Sequence, residues 1–173
     1  MSFGRSERLV GRERELAALR EWLAQAGGGR GGVYVIAGEP GVGKSRLAAE
    51  GIAGLPAGWL VSRGRAADRD RPVPFRAVAE AMHAASRHRA LPDDPDVRAF
   101  AAVLGHLVPA WHHGDRTDEP VVAVAEAVLR VLSALAAPAP AVMLIEDAQW
   151  ADPETLAVLE YLADNVAGQP ARS

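Results

Sequence analysis

The sequence predicts a three-layer α/β domain, a parallel sheet between helices. Three observations lead there. Short apolar, β-rich runs at 33–37, 59–62 and 141–145 alternate with amphipathic helical stretches, the pattern of βαβ units. A glycine-rich octamer joins the first run to the helix that follows it. The 173 residues, 49% apolar, suffice for one core that buries about two-thirds of the unfolded surface. The chain has no cysteine, which excludes a disulfide framework, a thiolate metal site and a cysteine nucleophile. Its net charge of −3 argues against a nucleic-acid module, which carries a basic face.

Residues 1–10 read as a charged lead-in, with the domain core expected over 11–173. Leu16, Leu19, Trp22 and Leu23 recur at helical spacing over 12–26, with Glu13 and Glu15 in the first turn. The run at 33–37 is expected to be a buried strand, and a helix opens at Lys44. After a second strand at 59–62, residues 64–72 form an Arg/Asp-rich loop. Helices follow over 74–88, 95–108 and 119–137. The last carries Val121, Val124, Ala125, Val128, Leu132 and Leu135 along one side. Residues 141–145 form the third strand. Asp152 caps a final helix, with Pro153 at its first position, that runs to about 167. The long helical interval between the second and third strands is expected to be an insertion at one edge of the sheet.

Gly38-Glu39-Pro40-Gly41-Val42-Gly43-Lys44-Ser45 fits G-x-x-x-x-G-K-[ST] at every fixed position, after an apolar run and at the start of a helix. Glycines let the backbone turn its N–H groups inward, and the helix N-terminus adds unsatisfied donors and a positive dipole end. In such a loop the Lys44 ammonium reaches the β and γ phosphates and the Ser45 hydroxyl ligates Mg²⁺. Lys44 is the sole lysine among 19 basic residues. In a chain rich in Ala, Arg and Gly, a neutral lysine drifts to arginine. The survivor marks a place that needs a compact ammonium. The plain alternative is a glycine-rich turn with no ligand. A strict G-x-G-x-x-G dinucleotide fingerprint is absent.

The third strand ends in Glu146 and Asp147. Strands often end in acids before a turn, but downstream of a complete phosphate loop a carboxylate here holds the Mg²⁺ shell and a second one polarises the attacking water. The sequence does not divide these roles between the two. The catalytic candidates are therefore Lys44, Glu146 and Asp147.

Three blocks together carry a family resemblance: 9–16 (LVGREREL), 37–47 (AGEPGVGKSRL, ending in Arg46-Leu47) and 144–153 (LIEDAQWADP). They resemble the AAA-like P-loop ATPase domain of large bacterial signal-transduction ATPases, the STAND class, which includes LuxR-type transcriptional regulators. Many relatives carry His where this chain has Gln149. The resemblance implies a P-loop fold, ATP and Mg²⁺ as cofactors, ATP/ADP exchange and slow hydrolysis as a switch. It makes Asp147 the favoured Mg²⁺ partner, with Glu146 the alternative. It places Val10, Gly11 and Arg12 near the adenine and Arg46 beside the phosphate loop; the plain alternative for 10–12 is a helix N-terminus with acids in its first turn. It further implies self-association of the full-length protein, and DNA contact only through a separate C-terminal domain. In this fold another strand, carrying a polar sensor residue, lies between the phosphate-loop strand and the acidic strand. It would follow the last helix, so the sequence is expected to stop short of the sensor strand and lid. An unfinished sheet of that kind predicts poor solubility or reduced ATPase activity.

Other features carry less. His106, His112 and His113 with Asp115 and Asp118 match no zinc spacing and read as a polar loop. Trp150 is expected to be a packing anchor, and 63–71 a solvated loop or a partner surface. Met82 and His83 should sit at the core and edge of a helix. The N-terminus has no apolar core, and the stretch 121–135 is too polar to span a membrane, so a cytoplasmic protein is expected. The leading function is an ATP-dependent regulatory switch. A P-loop kinase acting on a small molecule is the alternative, and a scaffold without turnover a third, which the intact Lys44 and Ser45 disfavour.

Overall fold

The computed structural model describes residues 11–68, 73–105, 107–108, 111 and 120–166. Eight regular elements appear among them: α1 (Glu13–Gly27), α2 (Lys44–Ala53), β1 (Leu60–Arg65), α3 (Arg76–His88), α4 (Pro95–Val103), α5 (Val121–Ala136), β2 (Ala141–Glu146) and α6 (Pro153–Asn165). A short 3₁₀ turn, Ala148–Trp150, joins β2 to α6.

β1 and β2 pair in parallel, from Leu60 opposite Ala141 to Arg65 opposite Glu146. The three helices α3, α4 and α5 make the crossover between them, as the long helical interval predicts. β1 approaches α3 so closely that a Cβ at Gly64 would stand 1.8 Å from the Ala77 carbonyl oxygen. The absence of a side chain at 64 is what lets this strand seat on the helix.

The main core lies between β1, α3, α5 and α6. Val78, Met82, Val124, Val128, Val131, Leu135 and Val158 are all fully buried there. The buried face of α5 is wider than the predicted stripe: Ala127, Leu129 and Val131 are also inside, because α4, α6 and β2 all pack on this helix. Met82 is buried and His83 half-buried, as their helical positions predict. A second, smaller cluster holds Leu19, Leu23 and Leu47 of α1 and α2, with Trp22, Tyr34, Ile36, Trp59 and Val142 packed against it.

Several expectations are corrected. Residues 33–37 join no ladder; among the described residues the sheet has two strands. A strand exists only through its partner's hydrogen bonds, and apolar composition does not supply one. Exposure nevertheless alternates along this segment. Val33 and Val35 face solvent, Val35 at 79%, while Tyr34 and Ile36 pack on the α1–α2 cluster. The period of two belongs to an extended chain, half-exposed where full burial was expected. Residues 63–65, assigned to a loop from the sequence, complete β1. The α4 helix ends at Val103 in a turn, short of the predicted 108. Trp150, expected to be an anchor, is 50% exposed. The histidine-bearing stretch lies mostly outside the described residues, as do residues 1–10.

Asp152 joins two parts of the chain. Its Oδ1 accepts from the Thr155 amide (2.7 Å), capping α6, and from the Phe75 amide (2.9 Å). Its Oδ2 accepts from the Thr155 hydroxyl (2.8 Å). Phe75 has φ +59°, in the left-handed region that few non-glycine residues occupy. The buried Asp152 carboxylate holds this turn at the start of α3 against α6.

Candidate functional site

The phosphate-loop candidate hangs from α2. Gly43 is the residue preceding the helix, with φ +92°, and Gly41 has φ +79°. A Cβ at either would meet no atom within 4 Å, so backbone conformation, rather than space, requires glycine there. Lys44, the first residue of α2, folds back across the loop. Its Nζ donates to the Gly38 carbonyl (2.8 Å) and the Glu39 carbonyl (3.0 Å). An ammonium has three donors, so one remains for another acceptor. Ser45 is exposed one position into the helix, and Glu39, Pro40 and Val42 are exposed along the loop.

Beside the loop lies a small hollow lined by Arg12, Ile36, Ala37, Val42, Gly43, Lys44 and Leu47. Its volume is about 10 Å³, the lower end of what one water needs. Arg12 therefore lines a hollow beside the phosphate-loop candidate. It precedes α1, and its guanidinium pairs with Glu15 at 2.8 Å. The Glu15 carboxyl is held below its usual range, first by its own backbone hydrogen bond and then by Arg12. Gly11 has φ +76°, and its amide donates to Glu13 (3.2 Å). Arg46 follows on α2, half-buried. Val10 lies outside the described residues.

The two acids occupy the end of β2. Glu146 pairs with Arg65 in the ladder register, and its carbonyl accepts from the Ala66 amide (3.0 Å). Asp147 leaves the strand in a left-handed conformation, φ +55°, which aspartate tolerates better than most residues. Its Oδ2 accepts from Arg65 Nε at 2.7 Å. The Asp147 hydrogen bond and charge raise the Arg65 guanidinium above its ordinary value. The Arg65 amide in turn donates to Glu80 of α3 (3.1 Å).

The structure thus brings Arg12 to the phosphate loop and Arg65 to the acidic strand end. Among the described residues, no hydrogen bond or ion pair joins Glu146 or Asp147 to Lys44 or Ser45, and no group of three metal-ligating side chains forms. Mg²⁺ takes hard oxygen donors, one or two of them carboxylates, and completes its shell with phosphates and water. The Ser45 hydroxyl and the Glu146 and Asp147 carboxylates are donors of that kind. Sequence reasoning missed Arg65, assigning it to a solvated loop. The available signal was its position, three residues beyond a predicted strand whose parallel neighbour ends in acids.

A glycine-turned loop opening a helix, with a lysine folded over it, on an α/β scaffold with an acid-ended parallel strand, defines a P-loop nucleotide-binding domain. A family model described as the AAA ATPase domain matches residues 8–171. The chain belongs to that family, and nucleotide binding is the function the family carries. No curated protein matches the chain significantly, and no solved structure does. Among the described residues no helix is long and apolar enough to cross a membrane.

Proposed function

We propose that this chain is the ATP-binding switch module of a bacterial signal-transduction or LuxR-type transcriptional regulator of the STAND class, with residues 11–173 as its ATPase core and the cytoplasm as its place. The observation that carries the reading is the complete Gly38–Ser45 loop, its Gly41 and Gly43 left-handed and its lysine already directed at the loop's own carbonyls. Those carbonyls hold the Nζ where β and γ phosphate oxygens would take their place. The amides of Gly41, Val42 and Gly43 and the N-terminus of α2 supply the remaining donors.

In this reading Gly38, Glu39, Pro40, Gly41, Val42, Gly43, Lys44, Ser45 and Arg46 surround the phosphates, while Val10, Gly11 and Arg12 border the adenine. Ser45 and Asp147 hold Mg²⁺, which neutralises charge on the β and γ oxygens when bound. Glu146 orients the attacking water, or exchanges that role with Asp147. ATP binding favours an open state able to self-associate, and slow hydrolysis resets it. Any contact with DNA belongs to a separate C-terminal domain.

The test is titration of the protein with Mg-ATP by calorimetry, beside Lys44→Ala. The wild type binds and the variant loses at least tenfold in affinity, since no other lysine exists to replace the lost charge. Equal binding by the two proteins overturns the assignment of Lys44.

A further inference from the structure

We propose that Arg65 is a positioning residue that competes with the Mg²⁺–nucleotide complex for the Asp147 carboxylate. The inference rests on the proposed function, which gives Asp147 to the metal shell, and it adds a regulator to that site.

Three features of the pair support it. The first is its connection. Arg65 closes β1 and Asp147 follows β2, so the parallel register sets the guanidinium beside the acid, and the contact is one bond, Nε to Oδ2 at 2.7 Å. The second is exposure. The Arg65 side chain is 69% exposed and that of Asp147 28%. A pair this solvated is weak, and a divalent cation can displace it. A buried, bidentate pair would hold the acid permanently. The third is anchoring on the Arg65 side. Its amide donates to Glu80, so α3 fixes the end of β1 while the long side chain stays free to swing. The backbone ladder over 60–65 and 141–146 already joins the two strands, so the ion pair is not needed to hold them together.

Competition of this kind makes the grip of Asp147 on metal depend on where α3 and the end of β1 stand. A signal that shifts α3 would then reach the acid through Arg65.

The experiment measures the Mg²⁺ dependence of nucleotide binding, using a fluorescent ATP analogue titrated at fixed Mg²⁺ concentrations and in EDTA. Arg65→Gln should raise the apparent Mg²⁺ affinity of the nucleotide complex about three- to fivefold, the range a solvated ion pair allows, and leave binding in EDTA unchanged. Arg63→Gln removes the same charge from the same strand and serves as the control for general electrostatics; it should change the Mg²⁺ affinity by less than Arg65→Gln does. In an Asp147→Asn background Arg65→Gln should have no effect, because the competitor's target is gone. Unchanged or weakened Mg²⁺ affinity in Arg65→Gln overturns the proposal, as does an equal effect of Arg63→Gln or an effect that survives in Asp147→Asn. A wild type that binds no nucleotide at all fails the proposed function itself, a result distinct from the others.

Discussion

Replacing Asp152 by alanine would remove one acceptor group and strand three donors at once. The Phe75 amide, the Thr155 amide and the Thr155 hydroxyl all point at its two oxygens, at 2.9, 2.7 and 2.8 Å. Asp152 is 6% exposed and Thr155 0%, so solvent reaches these donors poorly. A buried donor left without a partner costs about 1–3 kcal/mol. Some of that is recovered if water enters the space vacated by the carboxylate, which brings the expected loss to about 3–4 kcal/mol. Set against the roughly 5–15 kcal/mol that holds a typical domain folded, this is a large fraction. Asp152→Asn separates hydrogen bonding from charge. The asparagine oxygen can still accept both amides, and its NH₂ can donate to the Thr155 hydroxyl oxygen, so the loss should be about 1 kcal/mol. Urea denaturation at constant m-value measures both variants. The two losses should differ by about 2 kcal/mol or more, the alanine being worse. Equal losses, or an alanine variant within about 1 kcal/mol of wild type, would refute the view that this carboxylate pins the Phe75 turn to α6.

Two further changes probe the packing and the helix contacts. Gly64→Ala would place a Cβ 1.8 Å from the Ala77 carbonyl, backbone against backbone, and should cost about 3 kcal/mol or more; a soluble variant with an unchanged urea midpoint would contradict the close approach of β1 to α3. Tyr161→Phe removes the bond from the Tyr161 hydroxyl to Glu126 (2.6 Å), which ties α6 to α5, and should cost about 1–2 kcal/mol near neutral pH. The Tyr161 bond, with Arg130 behind it, holds the Glu126 carboxyl below its ordinary 4.5, and Glu126 raises the Tyr161 hydroxyl above its ordinary 10.0. A depressed carboxyl stabilises above its unfolded value and loses this as pH falls through the folded one; a raised phenol stabilises below its unfolded value and loses this at higher pH. The stability gap between wild type and variant should therefore be full between pH 4.5 and 10.0 and shrink outside that window. A gap that does not vary with pH would remove Glu126 as the partner.

The helices and the backbone turn over 38–45 were legible because their signals are local. The Gly41 and Gly43 conformations and the reach of Lys44 follow from eight consecutive residues, and Asp152-Pro153 announces the start of α6 four residues before its first full turn closes. What escaped the sequence depends on distant partners. The Arg65–Asp147 pair joins residues 82 positions apart and exists only because β1 and β2 share a parallel register. The second bond of Asp152, to Phe75, spans 77 positions. Trp150 looked like an anchor by its size, yet it sits on a short 3₁₀ turn whose three residues are all exposed. The breadth of the α5 core face reflects three neighbours that its own periodicity cannot count.

Segment 33–37, unpaired among the described residues, shows how the two halves of the candidate site are held. Glu146 and Asp147 end a strand that is paired along its full length with β1, over a large core. Among the described residues no such ladder stands behind the phosphate-loop candidate. Its position comes from Tyr34 and Ile36 packing on Leu19, Leu23 and Leu47, and from Lys44 tying the start of α2 to the Gly38 and Glu39 carbonyls. Among the described residues, three buried leucines here stand against eighteen buried residues in the main cluster, so the loop belongs to the less strongly packed part. The proposed phosphate site thus lies in the less strongly packed part of the fold, while Glu146 and Asp147 stand at the end of a strand that is paired over the main core.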